Sequence, residues 1–133
     1  MSFYHAVVWI DHKQARVIRF SDQESQSVQV AHEGGEAHLH PRAGTPGSGH
    51  APEDQHYYHA VAAALEGSSA LLITGPANAK DEFRDHCAHH DKAVSQAIVA
   101  VIASDHPTDP QLVAMAKQYF LRVDKMLGSA PLR

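Results

Sequence analysis

From Tyr4 to Ile10 the chain is almost continuously apolar, and after four polar residues, Asp11-His12-Lys13-Gln14, a second apolar stretch runs from Ala15 to Phe20. Two such runs around a short polar turn predict an antiparallel hairpin. Ser21 to Gln26 is another polar turn. Beyond it Val28, Val30 and His32 alternate with Gln29 and Ala31, the period of a strand with one buried face. A three-stranded meander is therefore expected at the start of the chain.

After a long glycine-rich stretch the period changes. Pro52 suits a first helical position, with Glu53 and Asp54 placed to favour the helix dipole, and Tyr57, Val61, Ala64 and Leu65 form an apolar stripe. Gly67-Ser68 ends that helix. Ala70 to Thr74 reads as a short buried strand, and the turn Gly75-Pro76-Ala77-Asn78-Ala79-Lys80 leads into a second helix carrying Phe83 and Cys87 one turn apart. Ala97 to Ala103 is an unbroken run of β-branched and small residues, hence another buried strand. Thr108-Asp109-Pro110 then starts a helix whose stripe is Val113, Ala116, Phe120, Val123 and Leu127, closed by Gly128 and Pro131.

The order is three strands, helix, strand, helix, strand, helix. Alternating strands suit an antiparallel edge and continuous apolar strands a parallel centre covered on both sides. The expected fold is a single α/β domain over residues 1–133, with a ribonuclease H-like mixed five-stranded sheet and helices on both faces.

Length supports one core: 133 residues with 44% hydrophobic content suit a single domain. The single cysteine, Cys87, rules out an internal disulfide, no secretory leader pattern is present, and no apolar run approaches the roughly 20 residues of a membrane span. These features predict a cytoplasmic protein without membrane contact. A formal charge of −4 gives no global attraction to nucleic acid, but Lys13, Arg16 and Arg19 face only Asp11 before residue 21, and Arg42 has no acid near it. A local basic face is expected from this distribution. The histidines, twelve in all, add positive charge as pH falls through their usual pKa of about 6.5.

The stretch at about 33–51 draws attention because a loop this long in a small domain is uncommon. It holds five of the eight glycines along with His38, His40 and His50, and its centre reads Arg42-Ala43-Gly44-Thr45-Pro46-Gly47-Ser48-Gly49-His50. Element order and loop together resemble the middle domain of the eukaryotic and archaeal peptide-chain release factors and of their ribosome-rescue relatives. The chain is also similar to a group of small bacterial proteins labelled translational machinery proteins. In those release factors the corresponding loop carries Gly-Gly-Gln and promotes peptidyl-tRNA hydrolysis. Here Ser48 and His50 stand where the first glycine and the glutamine would be, and only Gly49 is carried over. The turn from Gly75 to Lys80 is similar to the lysine-bearing turn before the family's second helix.

The resemblance implies a translation-associated accessory protein that meets ribosome or tRNA. Arg42, Gly47, Ser48, Gly49 and Lys80 would contact RNA or phosphate. His50 is the candidate catalytic residue for any peptidyl-tRNA ester hydrolase-like activity, with no cofactor and no metal ligand assigned. Read from the residues alone, the glycines bring backbone N–H groups close to an anion and His50 serves as a base near neutral pH. An alternative is a metal-dependent hydrolase using His38, His40 and His50, since three imidazoles and a water suit zinc. A further alternative is a protein-interaction module whose sheet edge allows a homodimer. His86, His89 and His90 are read as favouring the dipole at the end of their helix. Asp11 stands where ribonuclease H-like nucleases place a metal-binding acid, yet reads more simply as a turn residue. Cys87 and Trp9 read as core.

Overall fold

The structure, a computed structural model, describes residues 5–21, 24–32 and 52–127, with side chains throughout these except at 52–54 and 123–127. The elements are β1 (His5–Ile10), β2 (Gln14–Phe20), β3 (Ser25–Ala31), α1 (Pro52–Ala64), β4 (Ala70–Gly75), α2 (Ala79–His90), α3 (Lys92–Ala97), β5 (Ile98–Ala103) and α4 (Asp109–Leu127). The strands form one mixed five-stranded sheet in the order β3-β2-β1-β4-β5. β1 and β3 are antiparallel to β2, whereas β4 runs parallel to both β1 and β5. This is the expected topology.

Side-chain alternation splits the central strands between two cores. Ala6, Val8 and Ile10 of β1 join Leu71 and Ile73 of β4 under α1, α2 and α3, where Tyr57, Tyr58, Val61, Phe83, Cys87 and Val94 close the layer. Val7 and Trp9 join Leu72 on the other side, under Leu112, Ala116 and Phe120 of α4. Each fully buried Leu or Ile contributes on the order of 1.5–3 kcal/mol through removal from water, so the central strands are committed to this register.

Local chemistry sets the helix ends. Gly67 has φ 91°, which a glycine adopts without a Cβ penalty, and Ser68 N–H donates to Leu65 C=O at 3.2 Å as α1 ends. At the start of α4, Thr108 N–H donates to Gln111 Oε1 at 2.9 Å and Gln111 N–H donates to Thr108 Oγ1 at 3.3 Å. That reciprocal pair is a capping box.

Three details differ from the sequence reading. α3 was not expected: at six residues it is too short for a periodic signal, and it takes Ala97 from the following strand. β3 begins at Ser25, inside the expected turn, and is mostly exposed; Val30 packs against the α1-side core while Val28 remains 46% exposed on this outermost strand. Among the described side chains of α4 the buried stripe is Leu112, Ala116 and Phe120, with Val113 only partly covered, while Val123 and Leu127 lie outside the described side chains.

The expected basic face also divides. Arg16 and Arg19 lie an odd number of residues apart on β2, so they leave opposite sides of the sheet. Arg16 crosses the Trp9 ring at 5.0 Å and donates to Asp109 Oδ1 and Pro107 C=O, both at 2.7 Å. Arg19 lies on the other side, near Gly67.

Candidate functional site

The parallel strands β1 and β4 end together at Ile10 and Gly75, and the carboxyl edge of an open α/β sheet is where a ligand crevice forms. Gly75 is required there for packing: a Cβ on it would lie 2.2 Å from the Ile10 carbonyl oxygen. The turn after β1 is held by Asp11, whose Oδ1 accepts from the backbone N–H groups of Lys13 and Gln14 at 2.8 Å each. Asp11 is thus a turn residue, and among the described residues it joins no group of three metal-binding side chains.

Both flanks of the 33–51 segment are tied to this turn. His32 N–H donates to Lys13 C=O at 2.9 Å, and the His32 ring lies 4.8 Å from that of Tyr57 in α1. Tyr57 in turn donates its hydroxyl to Asp11 C=O at 2.8 Å. Burial, with the Asp11 carboxylate adding to it, pushes the Tyr57 phenol far above its ordinary range, so it is a fixed donor and not a base.

Glu82, at the start of α2, completes the edge. It accepts the Tyr58 hydroxyl at 2.7 Å and lies 3.4 Å from His12 Nε2. Lys80 turns its ammonium back to the Ala77 carbonyl oxygen and lies 3.5 Å from Asp81 Oδ2. The first turn of α2 also holds Asp81 and Glu82, which offset its positive dipole end. Nearby, Thr74 and Ser104 hydroxyls bond each other at 2.8 Å across β4 and β5. Among the described residues this edge carries a mixed-charge rim of His12, Lys80, Asp81 and Glu82.

The sequence singled out Lys80 and the turn at Asp11, and the structure brings both to one edge. It also brings Tyr57, Tyr58, His12 and Glu82, which the sequence reading had not assigned to a site. The adjacent tyrosines at the start of α1 are the available signal, but Tyr57 reads as part of the core stripe and Tyr58 carries no assignment in the sequence. His89 does bind its own helix, through Nδ1 at 2.9 Å from Asp85 C=O, while His86 points elsewhere. Arg42, Gly47, Ser48, Gly49 and His50, with His38 and His40, lie outside the described residues.

The strand order and the two-sided helical cover define a ribonuclease H-like mixed α/β fold. Among solved structures, Pelota of Archaeoglobus fulgidus shares the fold over 93% of this chain and 33% of its own, at 16% identity and a TM-score of 0.61. Archaeal Pelota in a model of the ribosome-bound protein with ABCE1 matches 92% of this chain and 33% of its own, at 16% identity and a TM-score of 0.62. The archaeal translation termination factor aRF1 matches 93% of this chain and 42% of its own, at 12% identity and a TM-score of 0.56. The chain thus spans about a third of Pelota and two fifths of aRF1. No protein-family model and no curated protein matches the sequence. Among the described residues no helix is long and apolar enough to cross a membrane.

Proposed function

We propose that this chain is a cytoplasmic, translation-associated accessory protein that contacts ribosome or tRNA through residues 42–50. The observation that carries the reading is where the described residues on either side of that segment lie. Its flanks are fastened at the carboxyl edge of a sheet whose fold is shared, over nearly the whole chain, with a termination factor and with Pelota, one of these solved in a ribosome-bound model. Arg42 supplies a charge for phosphate, and Gly47, Ser48 and Gly49 allow close backbone approach. Lys80 joins them once its ammonium leaves Ala77. His50 in place of glutamine makes binding, and not bond cleavage, the core of the proposal.

The test is co-sedimentation with ribosomes at low and moderate salt, comparing the wild type with an Arg42→Ala, His50→Ala variant. Phosphate contacts weaken steeply as salt rises, so salt-sensitive binding that the variant loses supports the reading and justifies a peptidyl-tRNA release assay. Absence of binding at both salts overturns it. In that event the exposed β3 edge, with Val28 outward, makes a homodimer the next reading, checked by light scattering over a concentration series.

A further inference from the structure

His86, on α2, is buried, only 7% exposed, and its imidazole is unusually arranged. Nδ1 lies 3.0 Å from Gln55 Oε1 of α1, so Nδ1–H donates to the amide oxygen and Nε2 carries the lone pair. That Nε2 is buried and has no hydrogen-bond partner among the described residues, and neither has Asp91 Oδ2. A buried polar atom left unpaired costs about 1–3 kcal/mol, so each of the two demands a reason.

Asp91 joins α2 to α3. Aspartate at a helix start ordinarily accepts from the first N–H groups of that helix, yet Asp91 makes no such side-chain bond. Its carboxylate turns instead toward His59 of α1, with Oδ2 3.9 Å from Nδ1. One donor atom from each of His59, His86 and Asp91 falls within 4.8 Å of the others. His59 and His86 line an open groove of about 830 Å³ with Gln55, His56, Ala60 and His90, and Asp91 lies close to both.

We propose that His59, His86 and Asp91 form a binding site for a divalent transition-metal ion, zinc by preference, that clamps α1 to the α2–α3 junction. Two imidazoles and a carboxylate are the borderline donor set that zinc takes with a water in the fourth position. Gln55 plays the part of the outer partner that fixes the tautomer and aim of a ligating histidine. Donors around a tetrahedral zinc lie roughly 3.3 Å apart, given bond lengths near 2.0–2.1 Å, so no pair in the set has to close by more than about 1.5 Å. His59, whose side chain is 70% exposed, has the freedom to move toward the other two. The proposed ligand set uses none of His38, His40 and His50 and does not depend on the ribosome reading.

The test titrates zinc, and cobalt(II) as a spectroscopic probe, into the untagged full-length protein stripped of metal. Four variants are compared with it: His59→Ala, Asp91→Asn, Gln55→Ala, and a triple His38→Ala, His40→Ala, His50→Ala. The expected result is one tight equivalent with the visible cobalt absorption of a low-coordinate site. That equivalent is weakened more than tenfold by His59→Ala and by Asp91→Asn, weakened about tenfold by Gln55→Ala, and retained in the triple variant. His59 is exposed, so its removal leaves the fold in place and a loss of binding reads directly on the site. Unchanged affinity in both His59→Ala and Asp91→Asn overturns the proposal, as does loss of the equivalent in the triple variant alone.

Discussion

The two faces of the sheet are made from the same strands but finished differently. Under α4 the core is a simple apolar layer, and the polar groups at its margin are matched: Trp9 Nε1–H donates to Asp105 C=O at 2.7 Å, and Arg16 is held by Asp109 and Pro107. Under α1, α2 and α3 the layer carries two tyrosine hydroxyls, a buried histidine and a half-buried aspartate, some bonded and some left open. The first face behaves as a foundation. The second gathers the loop flanks, the α2 start and the histidine cluster, so chemistry is concentrated where the polar matching is incomplete.

The strongest challenge to this contrast is to hollow each core in turn. Phe83→Ala beneath α1 and α2 should cost about 3–5 kcal/mol and Leu112→Ala beneath α4 about 2–5 kcal/mol by urea unfolding. If only one of them destabilises, the two faces do not share the load. Gly75→Ala comes next, because its Cβ meets the Ile10 carbonyl with no side chain able to yield; a loss of roughly 2–3 kcal/mol is expected, and an unchanged midpoint would show that the edge can relax. Arg16→Ala removes an ion pair to a partly exposed Asp109 and a cation–π contact, so about 1–2 kcal/mol is expected from the foundation face alone. Thr108→Ala should cost about 1 kcal/mol through the lost cap, visible as a small drop in thermal midpoint.

The smallest effect concerns Cys87. Burial, then the Asp91 charge, pushes its thiol up to about 12 from an ordinary value near 9. A thiol whose folded pKa is raised stabilises the fold below the unfolded value and loses that contribution as pH rises from about 9 toward 12. Native protein at pH 8 should therefore resist thiol reagents until it unfolds. Rapid labelling of the native state would place Cys87 at the surface, against its complete burial.

Reading from sequence worked best where one physical signal ruled. The apolar runs at 6–10 and 71–74 had to be central strands, and the Thr108 start of α4 is encoded within four residues. It worked less well for β3, because alternation at Val28 and Val30 signals a buried face but not whether a helix extends far enough to cover it. α3 escaped because one turn and a half leaves no period to detect. The loop from 42 to 50 was conspicuous in composition, whereas the site elements around it were not, since Glu82 and His12 are ordinary surface residues until β1 and α2 bring them within 3.4 Å.

By itself, the sequence determined the fold class, the number and order of strands, the three main helices and the location of the long connection, because periodicity and turn chemistry act over a few neighbouring residues. Only the tertiary structure decided that Arg16 and Arg19 part to opposite faces, that His32 and Tyr57 fasten the loop to one turn, and that His59, His86 and Asp91 converge. Those outcomes depend on how β2 pairs and how α1 packs on α2, and distances between residues some 30 positions apart are set by packing and not by any local pattern.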